Sequence, residues 1–225
     1  MTFSITARCP ATGMFGIAVT SSSMAVAARC AFVRAGVGAV ASQNITDPRL
    51  GPRGLDLMAG GKTAAEALEA LLEEHAHGDY RQLVLVDRAG GVAHHSGGHT
   101  LGTHGVVAGE TAGAAGNLLE NPTVPAAMIE AFRDAAAAPF PARLLSALDG
   151  GLRAGGEAGP VRSAGLLVAH REAWPLVDLR VDWSEDDPIA ALAAVWRGWA
   201  PQMDDYVTRA LDPTAAPTYG VPGDE

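Results

Sequence analysis

Thr2 is the residue whose position could itself do chemistry. Methionine aminopeptidases remove Met1 when a small residue follows, and here Thr follows. A chain that begins at Thr2 carries a hydroxyl and its own base on one residue. The α-amine, with an unperturbed pKa of about 7.7–8.0, can take the hydroxyl proton near neutral pH. Such a group attacks amide carbonyls. Many chains begin Met-Thr without chemical consequence, so the companions decide. If Met1 stays, the amine is blocked, and Ser4 on the same strand side, or Ser21 and Ser22 after the second strand, are the alternative hydroxyls. Asn117, in Gly116-Asn-Leu-Leu119, stands where a strand gives way to a helix start. Its amide either donates to a developing oxyanion or simply shapes the turn. Gln43, Asn44, Arg49 and Arg53 follow the third predicted strand and suit a carboxylate or polar amide substrate. Asp178, Arg180 and Asp182 alternate with Val177, Leu179 and Val181. Either they line a cleft, with Arg180 neutralised by both carboxylates, or an edge strand turns a charged side to water.

Other constellations are weaker. Gly61-Lys62-Thr63 resembles the end of a phosphate loop, but Asp56 stands where that loop needs its first glycine. Thr63 and Glu66 make a capping box, which accounts for the threonine. Ala35-Gly-Val-Gly-Ala-Val opens no helix, so it is no dinucleotide fingerprint. His94, His95, His99 and His104 are close in sequence, yet neighbours on a strand point to opposite sides. Surface histidines are the plainer reading, and no metal or other cofactor is expected. Cys9 and Cys30 form neither a C-x-x-C pair nor a zinc spacing.

The elements that must position these residues follow from periodicity. Thr2–Arg8 alternates and predicts a strand, turned at Pro10–Gly13 into a second strand over Phe15–Val19. Gly36–Ser42 is expected as the third. Helices are expected over Pro52–Ala59 and from Thr63, then strands over Gln82–Val86, Gly91–His95, Val106–Val107 and Ala112–Ala115. Asn121-Pro122 reads as a helix start, and a second helix is centred on Leu144, Leu145 and Leu148. Gly150–Gly159 reads as a glycine-rich loop. Strands over Ser163–Ala169 and Pro175–Val181 and a helix capped by Asp187-Pro188 follow. Strands and helices therefore come in blocks. That order favours an α+β fold of antiparallel sheets with helices outside over a doubly wound parallel sheet. One domain over residues 1–211 is expected, with a Pro/Gly-rich tail over 212–225.

Composition sets the outer limits. The 225 residues are 48% apolar and 18% charged, with a formal charge of −9. A single sizeable core is within reach. Nucleic acid is an unexpected partner, because the charge repels phosphate and the cations do not cluster. The apolar stretch from Met14 to Ala41 is broken by Ser21, Ser22, Ser23, Arg29 and Arg34, so no membrane span is expected. The start lacks the charged leader and apolar core of a signal peptide. The expectation is a cytoplasmic protein with a small-molecule substrate or ligand. Trp196, Trp199 and the Pro-rich tail could form the face of a homodimer.

Several segments together resemble a bacterial family, domain-of-unknown-function family 1028, classed as Ntn-hydrolase-like. They are Thr2–Arg8 with its Thr12-Gly13 turn, Gly36–Gln43, Asp47-Pro-Arg-Leu-Gly-Pro-Arg-Gly54, Arg81–Asp87, Gly116–Leu119, Ser163–Val168 and Val177–Asp182. The resemblance runs over nearly the whole chain. It implies a four-layer αββα sandwich, two antiparallel sheets between helical layers. It also implies Thr2 as the nucleophile of an amidohydrolase acting on a small amide or peptide-like metabolite. Asn117 or a backbone amide would then hold the oxyanion, with Ser4, Ser21, Gln43, Asn44, Arg49, Arg53, Asp178 and Arg180 as candidate substrate contacts. Proteasome-like relatives place a lysine on the third strand. Here Lys62 is the only lysine and opens a helix. A non-catalytic protein binding a small polar ligand in the same cleft is the alternative.

Overall fold

A computed structural model describes residues 1–224. The alternation of Thr2–Arg8 (β1) and Phe15–Ser21 (β2) forms the expected hairpin, with Phe3 opposite Thr20 and Arg8 opposite Phe15. Its turn places Gly13 at φ +76°, where a side chain would be strained. The expected third strand, Gly36–Ser42, is found, and it is paired with a strand before it that the sequence reading omits. A one-turn helix, Ala27–Cys30 (α1), leads into Ala31–Arg34 (β3), and Gly36 at φ +69° turns the chain into Gly38–Asn44 (β4). At four residues β3 is barely long enough for an alternation to show in the sequence.

Leu50–Ala59 (α2) and Ala64–Glu74 (α3) follow. The capping box is formed: Glu66 N donates to Thr63 Oγ1 at 3.3 Å, and Thr63 N donates to Glu66 Oε2 at 2.8 Å. Arg81–Asp87 (β5) and Val92–Ser96 (β6) make the expected hairpin. Asp87 closes it by accepting the N–H of Ala89 and of Gly91, each at 2.9 Å, and that of Ala64 at 2.8 Å. Gly105–Ala108 (β7) and Ala112–Asn117 (β8) follow, then Val124–Asp134 (α4) and Phe140–Arg153 (α5). Asn121 turns the chain by accepting Thr123 N at 2.9 Å, but the helix begins later, at Val124.

The expected loop from Gly150 begins inside α5. Gly150 and Gly151 are helical because α4 lies too close for side chains there. A Cβ on Gly150 would come 2.5 Å from Ala131 Cβ, and one on Gly151 would come 2.7 Å from Met128 Cγ. The turn itself is made by Gly155 and Gly156, both at positive φ. Ser163–Ala169 (β9), Val177–Val181 (β10) and Pro188–Trp199 (α6) match expectation. A further helix, Met203–Leu211 (α7), was not foreseen. The tail folds back on it, with the Arg209 guanidinium 3.9 Å from the Tyr219 ring centre. Asp187 caps α6, accepting Ile189 N at 2.8 Å and Ala190 N at 3.1 Å. Asp187→Ala is expected to cost about 1 kcal/mol, the usual worth of such a cap; urea unfolding measures it.

The described strands form two antiparallel sheets, ordered β10-β9-β2-β1-β8-β7 and β3-β4-β5-β6. Alternate residues divide among three apolar clusters. Phe3 and Ile5 of β1 join Met128 and Phe132 of α4, Leu144 and Leu148 of α5 and Leu192 of α6. Val40, Leu83 and Leu85 join Leu55 and Met58 of α2 and Leu68 and Leu71 of α3. Phe15, Ile17, Val19 and Ala115 of the larger sheet meet Ala39, Ala41 and Val84 of the smaller. That third cluster is apolar at one end only. Among the described residues, no helix is long and apolar enough to cross a membrane.

Candidate functional site

The other end of the contact between the sheets is polar, and β1 puts it there. Phe3, Ile5 and Ala7 are taken up by the helix-side cluster, so period two sends Thr2, Ser4 and Thr6 toward the smaller sheet. In the same way Gln43 follows Ala39 and Ala41, and Gln82 precedes Val84. Ser4 Oγ donates to Gln43 Oε1 at 2.7 Å, linking the two sheets. Gln43 Nε2 donates to Gln82 Oε1 at 2.8 Å, and Asn117 Nδ2 donates to the same oxygen at 3.1 Å. Gln82 Nε2 in turn donates to Ser96 Oγ and to the carbonyl of Gly116, both at 3.1 Å. Ser4, Gln43, Gln82 and Asn117 are all buried. In so dry a place their hydrogen bonds reinforce one another and fix each amide's orientation.

Thr2 lies at the head of this network, on an interior strand and itself buried. It pairs with Asn117 of β8, and on its other side the β1–β2 register brings Ser21 alongside. Thr2 Oγ1 and Ser21 Oγ are 3.4 Å apart, and both donate to the carbonyl oxygen of Met1. Ser23 N donates to Ser21 Oγ at 3.0 Å.

Glu157, in the turn after α5, is 5% exposed. Its Oε2 accepts Ser22 N at 3.0 Å. Burial raises its pKa to about 7, against the lowering pull of the amino-terminal charge and of Ser22.

Backbone strain gathers around the same residues. Among the described residues, the non-glycine positions at positive φ are Ala25, Asn44 and Leu118. Asn44 follows Gln43, Leu118 follows Asn117, and Ala25 ends the segment after Ser21. Such strain persists where surrounding contacts enforce it, and it is enriched at sites of function.

Thus Thr2, Ser4, Ser21, Gln43 and Asn117 come together. The other sequence candidates do not join them. Asn44 ties loops, donating to the carbonyls of Tyr80 at 2.8 Å and His99 at 3.3 Å. Arg49 pairs with Asp47 at 2.6 Å, holding that carboxyl far below its usual pKa, and Arg53 pairs with Glu74 at 2.7 Å. Both arginines border a separate cavity beside α2 and α3. Asp178 and Arg180 pair with each other at 2.8 Å on β10, an edge strand. Among the histidines, His95 Nε2 lies 3.0 Å from Gly78 O, His104 Nδ1 lies 2.9 Å from Gly102 O, and His99 stacks on Tyr80. A cavity of about 290 Å³ beside α7, lined by His170, Trp174, Asp204 and Leu211, touches none of the clustered residues.

Sequence reasoning missed Gln82 and Glu157. Gln82 carried a usable signal: a polar residue sharing a strand side with Val84 and Val86 is buried if that side is. Glu157 carried none, standing in a glycine-rich stretch.

The model of a family of unknown function, DUF1028, matches residues 2–192. A DUF1028 protein from Silicibacter pomeroyi has a crystal structure that is 32% identical, with a TM-score of 0.82, over 88% of this chain and 89% of that one. Anbu (ancestral beta-subunit) from Yersinia bercovieri is 11% identical with a TM-score of 0.34, over 92% of this chain and 97% of that one. The latter similarity is too slight to bear on this chain. No curated protein matches the chain.

Proposed function

The chain belongs to the DUF1028 family, and we propose that it is an amide hydrolase of the N-terminal-nucleophile type, built as four layers with its two sheets inside. The observation that carries this reading is the position of Thr2. Its hydroxyl stands between Ser21 and Asn117 at the polar end of the contact between the sheets. Cleavage of the Met1–Thr2 bond frees the α-amine and removes the carbonyl that both hydroxyls now engage.

Thr2 Oγ1 then bonds to the carbonyl carbon of a small amide or peptide-like metabolite, and its proton passes to the Thr2 amine. The carbonyl π pair becomes an oxyanion. Asn117 Nδ2 spends one N–H on Gln82 and has a second to donate to that oxyanion. When the C–N bond breaks, the leaving amine takes the proton, and water then cleaves the Thr2 ester. Ser4, Ser21 and Gln43 are the nearest polar contacts for the substrate. The network from Gln43 to Gln82 holds the amides ready before substrate arrives.

With Met1 attached, the same residues form a closed polar cluster, which favours a second reading: a binder of small polar ligands without turnover. A panel of small amides, tested on chain shown by intact mass to lack Met1, separates the two. Thr2→Ala is expected to remove hydrolysis by at least about 10³-fold with the fold intact, on the scale of other nucleophile deletions. Wild-type turnover in that variant would sink the hydrolase reading. Binding without turnover in the wild type supports the second.

A further inference from the structure

Glu157 is a buried ionisable side chain that this mechanism leaves unused. Backbone bonds pin it in place: Glu120 N donates to Gly156 O and Ala158 N donates to Leu118 O, both at 3.0 Å. Its Oε2 is taken by Ser22 N, but its Oε1 is buried with no hydrogen-bond partner among the described residues. An orphaned buried carboxylate oxygen is rare enough to need a reason.

Its surroundings are those of the amino terminus. Ser22 follows Ser21, the neighbour of Thr2 on one side. Leu119, which bridges to Glu157, lies just beyond Asn117, the neighbour of Thr2 on the other. A Cβ on Gly159 would stand 3.3 Å from Met1 Cε, so the Met1 side chain lies over the same turn. Glu157 also borders a cavity of about 300 Å³ whose charged lining is acidic throughout: Glu185, Asp186 and Asp187 complete it. Glu185 is paired with Arg162 at 2.9 Å, and Asp187 caps α6. The Glu157 carboxyl is the member of this set with a buried oxygen that lacks a hydrogen-bond partner, and the amino-terminal charge acts on it.

We propose that Glu157 is the receptor for the α-ammonium group of Thr2 after the Met1–Thr2 bond is cut, a positioning residue that holds the nucleophile's own base. This rests on the reading that Thr2 becomes the first residue. Cleavage brings the charged amine one residue inward, to the row of Ser21 and Asn117. Oε1 accepts an N–H from the ammonium and, once that group has given a proton to solvent, from the neutral amine, whose lone pair is thereby directed toward Thr2 Oγ1. When the amine takes the hydroxyl proton during attack, the carboxylate stabilises the cation that forms.

The test is the titration of the α-amine in processed protein. Trace acetylation with acetic anhydride across a pH series, read by mass spectrometry of the N-terminal peptide, gives its protonation. Lys62, the only lysine, serves as internal reference in the same digest. In Glu157→Gln the affinity of the amine for its proton is expected to fall about tenfold, as when one close opposite charge is lost. Superimposable titrations would overturn the proposal. A structural role alone would not move this readout. If the variant fails to fold, wild-type protein answers the question. Chain with Met1 retained, made under aminopeptidase inhibition, is compared with processed chain by carboxyl ¹³C NMR. The Glu157 titration is expected to move down by about one pH unit on loss of Met1, and an unmoved titration overturns the receptor. Neither readout needs turnover. A shifted amine in a chain that hydrolyses no amide leaves the receptor standing and removes the hydrolase reading; turnover with unshifted titrations does the reverse.

Discussion

Gln82→Leu is expected to lower stability by about 3–5 kcal/mol, because two buried amide donors lose their acceptor at once and each unmet group costs about 1–3 kcal/mol. Gln43 Nε2 and Asn117 Nδ2 both donate to Gln82 Oε1, and the carbonyl of Gly116 loses Gln82 Nε2. Leucine fills a similar volume, so the cavity left behind is small and the loss is one of hydrogen bonds. Ser4→Ala, which deletes a single donor to Gln43, should cost only about 1 kcal/mol. Urea unfolding of both variants decides the matter. A Gln82→Leu loss no larger than that of Ser4→Ala would mean that water already reaches the network. Asn117 is expected to lose its fixed orientation along with Gln82, so on the hydrolase reading turnover should fall even in protein that remains folded.

The contribution of Glu157 to the stability of chain with Met1 in place is expected to decline by about 3 kcal/mol as pH rises from 4.5 to 8, at about 1.4 kcal/mol per tenfold change in proton affinity, while His75, whose pKa burial lowers, acts the other way. The Glu157 carboxyl has a pKa of about 7 in the folded chain against the 4.5 of an unperturbed glutamate. The folded state therefore keeps a proton that the unfolded state gives up. That contribution is fully present below pH 4.5 and is lost as pH rises through 7. Glu157→Gln, which cannot ionise, should flatten this dependence and be the more stable protein at pH 8. Thermal unfolding across the pH series measures it. A wild-type curve that climbs from pH 5 to pH 8 in parallel with the variant would contradict the assignment. In processed chain the slope should shrink, because an ammonium beside the carboxylate lowers its pKa.

What the sequence made legible was local. The β1–β2 and β5–β6 hairpins, the Thr63 capping box and the Asp187 cap each depend on residues a few positions apart, where alternation and side-chain chemistry can be read directly. Thr2 and Asn117 were legible as candidates, one from its place behind Met1 and the other from its place after a strand. Their meeting was not, because it depends on β1 pairing with a strand more than a hundred residues away. Gln82 was hidden for the same reason: its value lies in being shared by Gln43 and Asn117, from β4 and β8. Arg53 looked available because its partner Glu74 is brought to it by the packing of α3 on α2, whereas Asp47, two positions before Arg49, was within local reach and went unweighed. Gly150 and Gly151 read as loop because glycine weakens helices. Here the absence of a side chain is what lets α4 and α5 touch.

The interior position of β1 also sets a clock. Thr2 is buried between β2 and β8, so a peptidase must reach the Met1–Thr2 bond while the sheet is incomplete. β2 emerges from the ribosome soon after β1, but Asn117 follows only once just over half of the chain has been made. At synthesis rates of about 5–20 residues per second, that leaves an interval of roughly 6–23 s. Within it the bond is open to any enzyme waiting at the exit tunnel. After it, access requires the strand to peel from both neighbours. If Thr2 is the nucleophile, maturation becomes a race between translation and trimming, and slow trimming under overexpression would leave a folded population sealed in its unprocessed form.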